Sequence, residues 1–324
     1  MNLISRRNFL GATCLLGSEK VFSKIDAQLI KQPVKVVLPY PYTISIAREV
    51  PEKMLSRAGV AHFFENKYGA GGKIATQYMR QQGGNDALMV SSNTITVSNF
   101  LGSDPDLGND YRKFLRCIGM ISRTPFAMVV RGDENLDLSR YLEKVRNKPE
   151  RINYSISSSM DLPHVCGTML SGVLGLKLTA IPYKNNHVLP LLSGEVDFTF
   201  LPVSSALPYL KGGQLKILAL TNATSEALVG LEGYPSLTRY AGFDSIDVVT
   251  GLVGSAEMDD KISEVYSDML NQVLRDEEYR STLARSGIYL FRTNGADQYH
   301  HLIMRESAKL KKILATHSNV LKIS

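Results

Sequence analysis

Residues 181–213 read IPYKNNHVLPLLSGEVDFTFLPVSSALPYLKGG, in which short apolar runs alternate with short helical segments. Polar or turn residues stand just past each run: Lys184, Asn185 and Asn186 after the first, Pro202 to Ser205 after the second. A repeated run-then-helix pattern has few folded solutions, and the main one is a parallel sheet wound with helices. Ligands of such open sheets sit in the crevice beyond the carboxyl ends of the strands. These polar residues are therefore expected on a pocket wall.

The same alternation extends in both directions. Residues 34–39 form a β-branched apolar run, read as a buried strand. Residues 44–58 carry apolar positions near helical spacing and end at Gly59, so a helix is expected there. A strand at 60–66, a glycine turn at 69–72, a helix at 74–81 and a strand at 87–91 follow. Further on, strands are expected at 126–131, 152–155, 178–183 and 215–221, with helices at 138–147 and 164–175. The chain closes with a strand at 248–253 and helices at 261–274, 276–286 and 296–314. A length of 324 residues exceeds one ordinary core. Two domains without a low-complexity linker are expected, with the chain crossing between them twice.

Composition excludes some functions and leaves others open. The formal charge is +6, yet apart from Lys309, Lys311 and Lys312 the positive residues are scattered. That favours a solvated surface over a nucleic-acid face. No apolar run has the eighteen or so residues that span a bilayer. Near the start, Ser5-Arg6-Arg7-Asn8-Phe9-Leu10 followed by a short apolar stretch matches the twin-arginine export pattern. Residues 1–27 are read as that signal, which points to the periplasm. Cys14 falls within it; Cys117 and Cys166 are read as buried free thiols rather than a disulfide.

The chemistry lies in small-polar clusters after strands: Thr43 to Ser45, Ser91 to Thr94, and Ser155 to Ser159. Hydroxyls and backbone N–H groups at helix starts favour anions; the same residues also serve as caps and turns. Four such clusters, counting Lys184 to Asn186, shift the balance toward a polar pocket. Gly69-Ala70-Gly71-Gly72 lacks dinucleotide-loop spacing, so no nicotinamide cofactor is expected, but the glycines permit close backbone approach. His164 follows the serines closely, which raises a serine–histidine hydrolase as an alternative; no G-x-S-x-G elbow supports it. His300 and His301 are adjacent and cannot chelate together from one helix face. No metal and no cofactor are expected.

With these residues in view, the chain resembles the Bug family, the substrate-binding proteins of tripartite tricarboxylate transporters. Glu65-Asn66 through Gly69-Ala70-Gly71-Gly72 is similar to its E-N-x-x-G-A-G-G, and Ser92-Asn93 to its S-N. Asn153-Tyr154-Ser155 with the following serines and His164, and Pro182-Tyr183-Lys184, also match. Gly194 to Asp197, then Ser205-Ala206-Leu207-Pro208, resemble its G-x-V-D and S-A-L-P. The resemblance covers roughly residues 30–320. It implies an α/β, two-lobed periplasmic binding protein of type II-like form, each lobe a sheet flanked by helices, with two chain crossovers at the hinge. One lobe would comprise 30–124 plus 250–324 and the other 125–249.

The ligand implied is a small organic anion, a carboxylate, held by hydrogen bonds between the lobes. From the first lobe the binding residues would be Tyr40, Thr43, Ser45, Gly71, Gly72, Ser92 and Asn93. From the second they would be Ser157, Ser158, His164, Tyr183, Lys184 and Asn185. The partner implied is the membrane part of such a transporter; a sensory protein on the same scaffold, reporting to a membrane receptor, is the alternative. The chain departs from the family after its first strand. Tyr40-Pro41-Tyr42-Thr43-Ile44-Ser45 lacks the family's glycines and aspartate, Asn185 and Asn186 replace glycines, and Leu201 replaces a common aspartate. Fewer carboxylates disfavour an amino-acid ligand. A more apolar pocket, or one that no longer binds, stays open.

Overall fold

A computed structural model describes residues 27–39, 45–69, 72–93, 111–148, 152–157, 161–183, 187–222, 230–292 and 295–316. The export signal read at the N-terminus, including Cys14, lies outside these residues. The first half runs β1 (Val34–Leu38), α1 (Ser45–Arg57), β2 (His62–Asn66), α2 (Lys73–Arg80), β3 (Ala87–Ser92) and β4 (Leu115–Arg131). Then come α3 (Leu138–Asn147), β5 (Asn153–Ile156), α4 (Leu162–Leu174), β6 (Thr179–Pro182), α5 (Val188–Ser193), β7 (Phe198–Pro202) and α6 (Val203–Lys211). The chain ends with β8 (Leu215–Leu220), β9 (Asp247–Ser255), α7 (Asp260–Leu274), α8 (Glu277–Ala284), β10 (Tyr289–Leu290) and α9 (Ala296–Thr316).

The strands lie in the order β2-β1-β3-β9-β4-β7-β5-β6, with β8 and β10 also paired to β4. β1 runs parallel to β2 and β3, and β5 runs parallel to β6 and β7, as βα alternation requires. β1 is nearly all apolar because helices cover both faces of its sheet. Its one polar residue, Lys35, extends to Tyr78 Oη and Gln82 Oε1 at 2.9 and 3.1 Å.

β4 belongs to two sheets. Leu115 to Pro125 pairs with β9, whereas Phe126 to Arg131 pairs with β7 and β8. The change of partner falls at Pro125, which has no N–H to continue a ladder. Sequence periodicity predicts only the second half of this strand. The first half, LRCIGMISRTP, shifts register at Cys117/Gly119 and again at Met120/Ser122, and such bulges destroy the period-two signal. β9 is the second long strand at the junction, bonded to β3 on one side and β4 on the other. Ser122 and Thr250 hydroxyls meet across the β4–β9 pair at 2.7 Å.

Each sheet is covered on both faces. In the first lobe Val34, Val36 and Leu38 face α1, α7 and α8, while Val37 and Met89 face α2 and α9. In the second, Tyr154, Phe198 and Phe200 pack with α3 and α4, and Ala127, Val129 and Leu201 pack with α5 and α6. α9 ties the halves together: Tyr299 and Ile303 belong to a first-lobe cluster, Leu310 and Ile313 to a second-lobe cluster. Tyr299 lies on Gly251 so closely that a Cβ there would overlap the ring. Gly251→Ala is expected to lower stability by about 1–3 kcal/mol through overpacking, read as a lower urea midpoint. An unchanged midpoint would count against this contact. Among the described residues no helix is long and apolar enough to cross a membrane.

Candidate functional site

The carboxyl ends of β1, β3, β5 and β6 carry the segments singled out in the sequence. At β2 and α2, Glu65 accepts from Tyr78 Oη at 2.8 Å and from Lys67 Nζ at 2.7 Å. These hydrogen bonds hold its carboxyl below the usual range. Glu65 therefore ties β2 to α2 rather than offering itself to a ligand. Gly72 caps α2 with φ +91°, a left-handed conformation that favours glycine, and its N–H bonds Gly69 O at 3.0 Å.

β3 ends in the buried polar residues Ser91 and Ser92, and the buried Asn93 follows it. Asn93 uses its side chain as one more rung of the ladder. Its Nδ2 donates to Asp247 O at 2.6 Å and its Oδ1 accepts from Val249 N at 3.1 Å. One Nδ2 hydrogen is left for a further acceptor.

The second lobe's edge is organised by Asp161, which the motifs did not single out. Its Oδ1 accepts from His164 N at 2.9 Å, capping α4, and its Oδ2 accepts from Ser157 Oγ at 2.6 Å and from Ser157 N. The sequence signal was present: Asp161-Leu162-Pro163 is an acidic cap followed by a proline in the first turn. The helix consequently starts at Leu162, two residues ahead of the predicted start. His164 is 3% exposed; Nδ1 lies 3.1 Å from Tyr154 Oη, and Nε2 is shielded without a partner among the described residues. Burial holds this imidazole below its ordinary pKa, against the pull of Asp161. The side chains of Ser157 and His164 thus bond to different groups, Asp161 and Tyr154, and form no nucleophile–base pair. Tyr183 Oη donates to Glu195 Oε2 at 3.0 Å, and Tyr183 N donates to Ile156 O at 2.7 Å.

Of the thirteen predicted binding residues, Gly72, Ser92, Asn93, Ser157, His164 and Tyr183 have described side chains or backbones at these strand ends. Ser45 opens α1, its side chain undescribed, and Tyr40, Thr43, Gly71, Ser158, Lys184 and Asn185 lie outside the described residues. Asp197 of the G-x-V-D motif sits at the opposite end of the sheet, accepting from Asn153 N at 2.7 Å. Cys117 and Cys166 are free and buried. Among the described residues no three His, Cys, Asp or Glu side chains gather as a metal site would need.

At the junction, Asp247 begins β9 beside Arg123, Glu306 and Lys309, which with Ser245 and Arg305 line a hollow of about 330 Å³. Asp247 Oδ1 is shielded and has no partner among the described residues. Burial raises its pKa to about 6, with Arg123 and Lys309 pulling the other way. The folded value exceeds the unfolded one, so the fold favours the protonated form. The stabilisation is complete below about pH 4 and is lost as the pH rises through about 6. Asp247→Asn is therefore expected to stabilise the protein by about 2–3 kcal/mol at neutral pH, the gap closing in acid. Urea unfolding at several pH values checks this, and an equal gap at every pH would contradict it.

Comparison with known proteins decides what kind of edge this is. The model of the tripartite tricarboxylate transporter family receptor, TctC, matches residues 46–318. The chain belongs to this family. TctC receptors bind substrates rather than transform them, which removes the hydrolase alternative and agrees with the separation of Ser157 from His164. The fold of this TctC member matches solved binding proteins closely. An R. palustris protein, Rpa4515, solved with adipate, superimposes with a TM-score of 0.80 at 18% identity, over 89% of this chain and 98% of that one. The periplasmic binding protein BugD gives 0.78 at 22%, over 89% and 98%. MatC from Rhodopseudomonas palustris, solved with bound malate, gives 0.76 at 20%, over 87% and 98%. The two-lobed α/β architecture with β4 and β9 at the junction is therefore that of a periplasmic binding protein. A curated relative from Agrobacterium vitis, a UPF0065 protein in the TAR-I ttuE-ttuC' intergenic region, is 23% identical over 195 residues. That match spans 58% of this chain and 56% of the relative, little more than half its length.

Proposed function

We propose that this protein is exported to the periplasm, captures a small carboxylate between its lobes, and presents it to the membrane subunits of a tripartite transporter. The observation that carries this reading is the TctC family match over residues 46–318, in a chain whose β3 and β5 are followed by the buried polar residues Asn93, Asp161 and His164. Adipate and malate in the related proteins supply the ligand class. Residues 1–27 act as the export signal, and the lobes divide as 30–124 plus 250–324 and 125–249. Tyr40, Thr43, Ser45, Gly71, Gly72, Ser92 and Asn93 contact the ligand from one lobe. Ser157, Ser158, His164, Tyr183, Lys184 and Asn185 do so from the other. Their work is hydrogen bonding to carboxylate oxygens by hydroxyls, amides and main-chain N–H groups, strengthened where the acceptor is charged. Closure follows because a ligand that touches both lobes favours the closed state by its differential affinity.

A thermal-shift panel of mono-, di- and tricarboxylates tests the reading. A ligand at a hundred times its Kd adds about 2.7 kcal/mol to the stability of the folded protein. A shift with a small di- or tricarboxylate is expected. Silence across the whole panel at millimolar concentration would sink the proposal.

A further inference from the structure

His187 matches none of the family motifs in this chain, yet it stands directly ahead of α5 beside the end of β6. Its Nδ1 is shielded and has no partner among the described residues. Its carbonyl accepts weakly from Ser155 Oγ at 3.5 Å, which ties the residue to β5. Asp161 acts electrostatically on both His187 and His164, so two imidazoles and one carboxylate gather under the second lobe's edge. Among the described residues, the other titratable or charged groups facing this cluster are Tyr154 from β5 and Cys166 from α4, which Lys309 of α9 also reaches.

The two imidazoles are not equivalent. His164 Nδ1 meets Tyr154 Oη at 3.1 Å, so that nitrogen is engaged whichever atom donates. His187 Nδ1 has no such partner among the described residues. Without ligand, burial outweighs Asp161 and holds His187 below its ordinary pKa. A carboxylate docking at the ends of β5 and β6 adds negative charge there. That charge favours the imidazolium, and exclusion of water strengthens the attraction while by itself penalising the charged ring; uptake follows where the attraction is the larger.

We infer that capture of the anion is coupled to uptake of a proton, and that His187 is the group that takes it. This rests on the capture function proposed above. Its consequence is a pocket that binds more tightly as the surroundings acidify, up to tenfold for each pH unit per proton taken up.

Isothermal titration with adipate and with malate tests the coupling, at about pH 7.5 and about pH 6.5, where carboxylates of ordinary pKa are ionised. Buffers of different ionisation enthalpy are compared at each pH. The wild-type enthalpy is expected to vary with the buffer in the sense of proton uptake, and the affinity to rise at the lower pH. In His187→Gln any remaining binding is expected to be independent of buffer and pH. Binding whose heat is the same in every buffer overturns the coupling and leaves the capture function standing. Uptake that persists in His187→Gln overturns the assignment to His187. Absence of any binding heat with either acid overturns the capture function, and the coupling with it. The wild-type comparison alone decides the coupling if a variant fails to fold.

Discussion

Asn93→Leu is expected to destabilise the protein by about 2–4 kcal/mol, lowering the melting temperature by about 5–10 °C. Asn93 follows the last residue of β3, where the ladder to β9 would otherwise stop. Its amide satisfies Asp247 O and Val249 N in place of main-chain groups. Leucine fills a similar volume and can do neither. A buried carbonyl and a buried N–H would be left unpaired, each costing about 1–3 kcal/mol. The loss falls on β9 as it enters the junction, so the hinge should loosen before the distant cores do. Hydrogen exchange localises the effect: amides of 247–250 should exchange faster than those of β1. Uniform loss of protection across the fold would contradict the role assigned to Asn93.

Asp161→Ala is expected to have a comparable effect for a different reason. One carboxylate holds the first turn of α4 through His164 N and the end of β5 through both donors of Ser157. Loss of an acidic cap alone costs about 1 kcal/mol, and bonds to an ionised acceptor contribute about 1.5–3 kcal/mol. A total of about 2–4 kcal/mol is expected, measured by urea unfolding. Ligand affinity should fall about tenfold as well, because Ser157 and the first turn of α4 would then have to be fixed at the moment of binding. Asp161→Asn keeps an acceptor for His164 N and should recover more than half of the stability. If alanine and asparagine behave alike, the capping account is wrong.

The fold was legible wherever burial imposed a period. β1, β3 and β7 are short apolar runs because helices cover both faces of their sheets, and each appeared in the sequence as such. β4 was half hidden, since bulges at Cys117 and Met120 scramble the alternation. The strand-end clusters were legible as polar chemistry at the right places, but not as roles. Asn93 read as a ligand donor, yet most of its side chain completes a sheet, a use that depends on β9 lying more than 150 positions away in the chain. Asp161 was passed over although its Asp-Leu-Pro cap pattern was present, and His187 because a lone histidine carries no pattern. Their importance comes from Ser157 and Ser155 of the β5 edge being brought near them by the fold. Glu65 shows the converse: a motif residue whose work is to brace Lys67 and Tyr78.

The most direct test of capture between lobes is small-angle X-ray scattering of the purified protein with and without a saturating dicarboxylate. Malate and adipate are the first to try. Closure about the β4–β9 junction predicts a smaller radius of gyration in the presence of a ligand that raises thermal stability, and no change with an acid that does not. Binding without contraction would place the ligand on one lobe only, contradicting the clamp proposed for the ends of β1, β3, β5 and β6.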